Sequence, residues 1–135
     1  RTGPDLAREG GKRNNSWHYD HMIRPKDISP GSIMPAYTWM AENDMDLEIL
    51  PRKIRAMQTL GVPYAEGYDQ KATADAIAQA TIIATDIVNN FPEEVTKNID
   101  KKAKIEELKS KEIIALIAYL QRLGTDISVK EETKK

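Results

Sequence analysis

Glu112-Ile-Ile-Ala-Leu-Ile-Ala-Tyr-Leu-Gln-Arg-Leu123 decides the fold class. Ile113, Leu116, Ile117, Leu120 and Leu123 recur at the spacing that places side chains on one face of an α-helix. Ser110 stands where an N-cap belongs, so the helix is expected over residues 111–123. Gly124 is a natural residue to end it, because glycine enters the left-handed region without a Cβ penalty. A strand would need alternation of period two, and no stretch of the chain sustains it. The domain reads as all-α.

Working back from this helix, residues 93–109 are highly charged, with a short helix expected around 103–108. The longest helix is expected over residues 70–89, with Asp69 as N-cap and Phe91-Pro92 as its stop. Its stripe is Ile77, Ala80, Ala84, Ile87 and Val88, and the alanines permit close approach of a neighbour. An earlier helix opens near Asp46, carries Leu47, Leu50, Ile54 and Met57 on one face, tolerates Pro51 in its first turn and ends at Gly61. Ser16 is the expected cap of a short helix over 17–23, which Pro25 ends by restricting Arg24. Residues 1–14, with three glycines and a proline, read as an ordered loop. The expected domain is residues 1–125, followed by a charged tail over 126–135.

Between the first two helices lies Gly31-Ser-Ile-Met-Pro-Ala-Tyr37, bracketed by Pro30 and Pro35. The prolines stiffen the backbone and keep it out of helix and sheet. A methionine in a core is ordinarily packing. A thioether fixed in a rigid loop is also a soft ligand that can be aimed at a metal.

Composition narrows the function classes. The 135 residues suit one domain with a modest core. With 20 basic and 21 acidic side chains the net charge is −1, which gives no grounds for a nucleic-acid partner. No apolar run approaches the roughly 18 residues that span a bilayer. Cysteine is absent, which excludes disulfides, thiolate metal sites and any thioether link made by this chain. No Ser/His/Asp arrangement, phosphate-cradling loop or carboxylate pair suggests a catalytic residue.

Three stretches, in order, resemble the landmarks of a class I cytochrome c: Thr2-Gly3-Pro4-Asp5-Leu6, Met34-Pro35 and the Leu116-Ile-Ala-Tyr-Leu120 string of the final helix. A narrower set is similar to the mono-haem subunit (CcoO or FixO) of cbb3-type cytochrome c oxidase. It comprises Arg1–Arg8, Gly10-Gly11, Trp17-His18, His21, Met34-Pro35-Ala36-Tyr37-x-Trp39, Leu60-Gly-Val-Pro-Tyr64 and Ala118–Thr125. The resemblance implies a cytochrome c-like helical fold and an electron-transfer domain that passes electrons through a c-type haem to the oxygen-reducing subunit. It implies the periplasmic side of the bacterial inner membrane. The implied partners are the catalytic and di-haem subunits, with a soluble cytochrome as a further donor.

The family attaches haem through Cys-x-x-Cys-His, which this sequence lacks and which in the family precedes the Arg-Thr-Gly-Pro string. Since the chain opens mid-motif, without a signal peptide, it is expected to be N-terminally truncated and to bind no haem by itself, haem c belonging to the parent protein. A haem-free helical docking domain is the alternative. Thr38 in place of a usual proline and the long charged segment at 93–109 are smaller departures.

Under the resemblance, Met34 is the distal iron ligand, the Pro4 carbonyl accepts a hydrogen bond from the proximal histidine, and Leu6 packs on the porphyrin. Trp17, Tyr37 and Trp39 are candidates to line it, with ordinary core packing as the alternative. Arg24, with Arg1, is a candidate partner for the haem carboxylates, with a plain surface charge as the alternative. His18 and His21, three apart, form a possible metal pair; the favoured reading is surface or haem-edge residues. If the helix that leads into the haem-attachment motif is missing, the final helix loses its cover. Self-association, exchange of that helix between copies, or infolding of the 70–89 helix or a terminus is then expected to close it.

Overall fold

The computed structural model describes residues 3, 5–93, 97 and 99–125. Arg1, Thr2, Pro4 and the charged tail over 126–135 lie outside the described residues. Among those described, the regular structure is helical: α1 Asn15–Ile23, α2 Pro25–Ile28, α3 Trp39–Glu42, α4 Leu50–Thr59, α5 Ala72–Asn89, α6 Lys101–Leu108 and α7 Glu112–Arg122, with 3-10 turns at Leu6–Arg8 and Tyr68–Gln70. The all-α expectation holds.

The core lies where α5, α6 and α7 meet. Ala80, Ile83, Ala84, Ile87 and Val88 of α5 join Leu108 of α6 and Ile113, Ile114 and Ile117 of α7 in one buried cluster. Each isoleucine so buried contributes roughly 1.5–3 kcal/mol. Tyr19, Met22 and Ile23 of α1, together with Met40 and Ala41 of α3, pack on its flanks. Within this chain α5 covers the final helix, and its alanines let it approach closely. Ile77 stays exposed on α5, whereas Ile83 is buried in its place.

Three caps differ from expectation, and for Asp69 and Ser110 the reason is that tertiary partners recruit the side chain. Asn14, not Ser16, caps α1, its Oδ1 accepting the Trp17 N–H at 2.8 Å. Asp69 is ion-paired with Arg55 at 2.7 Å, and α5 begins at Ala72 with no side-chain cap. Ser110 donates to Asp44 Oδ1 at 2.7 Å, so α7 begins without it. Backbone bonds from Met45 N–H to the Ser110 carbonyl (2.7 Å) and from Glu112 N–H to the Asn43 carbonyl (3.0 Å) fasten the end of α3 to the start of α7.

The N-terminal loop is fastened to the other end of α7. Gly10 N–H donates to the Leu123 carbonyl at 2.8 Å. Gln121 accepts from Gly11 N–H at 3.0 Å and donates to the Arg13 carbonyl and to Asn15 Oδ1, both at 2.9 Å. Asn15 in turn donates to Asp86 of α5 at 2.9 Å. Loop, α1, α5 and α7 are thereby held in one frame.

Candidate functional site

A cleft of about 710 Å³ opens between this N-terminal loop, α1 and the segment carrying Met34. Its far wall is built by local chain chemistry. Ser32 N–H donates to the Ser29 carbonyl at 3.0 Å, and Gly31 sits at φ +83° behind Pro30. Proline then glycine at the two central positions is the signature of a type II turn. Met34 N–H then donates to Ser32 Oγ at 3.2 Å, and Tyr37 N–H to the Met22 carbonyl at 2.8 Å. These bonds pin both ends of the Met34 segment, which lines the cleft through Pro30, Ile33 and Met34.

The near wall is Trp17 and His21, one helical turn apart on α1. Their rings stack with centroids 4.6 Å apart and planes 10° from parallel. The Arg13 guanidinium lies 4.9 Å from the Trp17 ring centre, a cation–π contact. Glu9 and Lys12 complete this side, 3.9 Å apart.

Of the residues singled out in the sequence, Trp17, His21 and Met34 meet in this cleft. Leu6 stands 54% exposed on the first 3-10 turn. Tyr37 and Trp39 face each other at 5.0 Å, just beyond the Met34 segment. Arg24 is engaged with Asp20 at 2.9 Å and Asp27 at 3.8 Å. None of these four lines the cleft. Pro4 lies outside the described residues.

His18 is buried and set edge-on to Trp17 at 5.4 Å, so it is not a surface residue. Burial lowers its pKa, the Glu9 carboxylate opposes this, and His21 and Arg13 reinforce it. His21 lines the cleft, and no group of three metal-binding side chains forms around this pair among the described residues. Glu9, Lys12, Arg13 and Ile33 were not signalled by sequence. Glu9, Lys12 and Arg13 reach the cleft because Gln121, far along the chain, holds the loop that carries them, and Ile33 reaches it beyond the Pro30-Gly31 turn.

A polarisable thioether, a flat aromatic wall and apolar Ile33 and Pro30 suit a flat apolar ligand with a soft metal centre. Lys12 and Arg13 suit anionic substituents on its rim. No helix among the described residues is long and apolar enough to cross a membrane. No curated protein matches the chain. A family model described as cytochrome C oxidase, mono-heme subunit/FixO, matches residues 1–127. With the match spanning nearly the whole sequence, the chain belongs to the family of the mono-heme (FixO) subunit of cytochrome c oxidase.

Proposed function

We propose that this chain forms the Met34 side of a haem c pocket and acts as an electron-transfer domain of a cbb3-type oxidase. The observation that carries the reading is the meeting of Met34 and Trp17 in one cleft, with Met34 pinned by its turn. The residues present fit one side of a haem: a thioether for the iron, an aromatic and apolar wall for the ring, and cations for its carboxylates.

In this reading Met34 holds the iron as distal ligand. Trp17, Ile33 and Pro30 exclude water from the ring. Lys12 and Arg13 take the carboxylates, since Arg24 is already paired with Asp20 and Asp27. For Pro4, outside the described residues, and for Leu6, which does not line the cleft, the roles toward the proximal histidine and the ring are those the family resemblance implies. Tyr37 and Trp39 back the Met34 segment. When bound, haem c supplies a one-electron iron couple, and a thioether ligand favours its ferrous state. The catalytic and di-haem subunits are the proposed partners and a soluble cytochrome a further donor, on the periplasmic side of the inner membrane. Residues 1–125 form the domain and 126–135 a charged tail.

The absence of cysteine favours a second reading, a haem-free docking domain in the same assembly. The encoded sequence ahead of Arg1 discriminates between the two. The full product, expressed with the cytochrome c maturation machinery, is expected to carry covalent haem and to cycle between two oxidation states while it supports oxidase turnover. A full product that assembles with the oxidase, lacks Cys-x-x-Cys-His and stays haem-free overturns the electron-transfer reading in favour of docking.

A further inference from the structure

The near wall of the cleft contains chemistry that electron transfer alone does not use. Glu9 is 4% and His18 2% exposed, and Glu9 Oε2 and His18 Nε2 make no hydrogen bond among the described residues. Buried polar atoms of this kind are ordinarily hydrogen-bonded, so a buried base without such a bond, beside a buried acid that Lys12 meets at 3.9 Å, calls for a role.

Neither group is loosely placed. The backbone after Glu9 is clamped by the Gly10–Leu123 bond, and a Cβ on Gly10 would lie 2.7 Å from the Gln121 carbonyl oxygen. His18 sits within α1, its ring edge against Trp17. Glu9 lines the cleft, whereas His18 is not among its lining residues.

Among the described residues the charges around the pair are few: Lys12 and Arg13 face it from the loop, beside Glu9 itself, and His21 from α1. From α5, Asp86 is engaged by Asn15 and Asn90; from α7, the neighbour is uncharged Gln121. Glu9 is the group that favours a proton on His18, and burial opposes it.

We propose that Glu9 and His18 form one buried proton site that sets the charge of the cleft wall, so that arrival of a negative charge in the cleft is coupled to proton uptake. The proton comes from solvent and binds His18 Nε2, where Glu9 is the neighbour that favours it. Where the arriving charge is an electron, which rests on the proposed function, the net charge of the cleft falls by one and the proton restores it. Coupling of this sort is reciprocal: the electron raises proton affinity, and the proton raises electron affinity.

Two measurements test it separately. In the present chain, nitrogen-15 NMR of the imidazoles follows His18 with pH in the wild type and in Glu9→Gln, which keeps the shape of the side chain. The site predicts a His18 midpoint below the ordinary 6.5 that moves lower still in Glu9→Gln. An unmoved midpoint overturns the shared site, whether or not haem ever binds. In the haem-bearing protein, the redox midpoint potential is expected to rise as pH falls through the His18 range, and to lose that slope in His18→Gln. A potential indifferent to pH, with the NMR result in hand, overturns the coupling and leaves the electron-transfer reading intact. Failure of the full protein to take haem overturns that reading and, with it, the coupling to an electron, leaving the NMR result to decide the proton site.

Discussion

Gly124 lies directly against the backbone of Ala7, so that a Cβ there would collide with the Ala7 carbonyl. The end of α7 and the loop that carries Glu9, Lys12 and Arg13 are therefore packed backbone to backbone. The last helix positions the cleft wall as well as filling the core.

Gly124→Ala separates this contact from backbone conformation alone. Gly61 is also in the left-handed region, at φ +85°, but a Cβ there would meet nothing within 4 Å. Alanine in that region costs roughly 1–2 kcal/mol. Gly61→Ala should lose about that much in urea unfolding, and Gly124→Ala clearly more. Equal losses would mean that the loop yields freely to the added methyl group.

Ile117 is fully buried, whereas Tyr119, two residues on, is 60% exposed. Ile117→Ala should cost about 2–5 kcal/mol of stability, cavity included. Tyr119→Ala should stay within about 0.5 kcal/mol of wild type. A small loss at Ile117 would contradict the α5–α7 core.

Stability should depend on pH through His18. Burial lowers its pKa below 6.5, so between the two values the unfolded chain binds more protons than the folded one. Unfolding free energy is thus highest above about 6.5, falls as pH drops through that window, and stops falling on this account below the folded value. Comparison of thermal unfolding of the wild type and His18→Gln across this range checks the sign. A wild type that gains stability on mild acidification relative to the variant would reverse it.

How far the sequence foretold this molecule follows from the range of the forces involved. α5 and α7 were legible because long apolar stripes repeat at helical spacing. α3, of four residues, is too short to show a period, and it forms where Thr38–Glu42 meets the core. Asp69 and Ser110 were misread as caps because Arg55 and Asp44, distant in sequence, claim their side chains. At the site, the Pro30-Gly31 turn and Met34 are local features and were readable. Glu9, Lys12 and Arg13 arrive through Gln121 and Gly124, and nothing near them in the sequence announces it.

The chain as it stands has no thiol to form a thioether. Expressed with the maturation machinery, it should show no covalent-haem spectrum. A strong Soret band that survives denaturing extraction would contradict this and would require another mode of attachment.

Met34→Ala in the haem-bearing full protein tests the central claim most directly, read by the weak Met-to-iron absorption band and the midpoint potential together. A thioether stabilises ferrous iron, so its removal should abolish the band and lower the potential while haem stays covalently attached. An unchanged band and an unchanged potential would remove Met34 from the iron and the account with it.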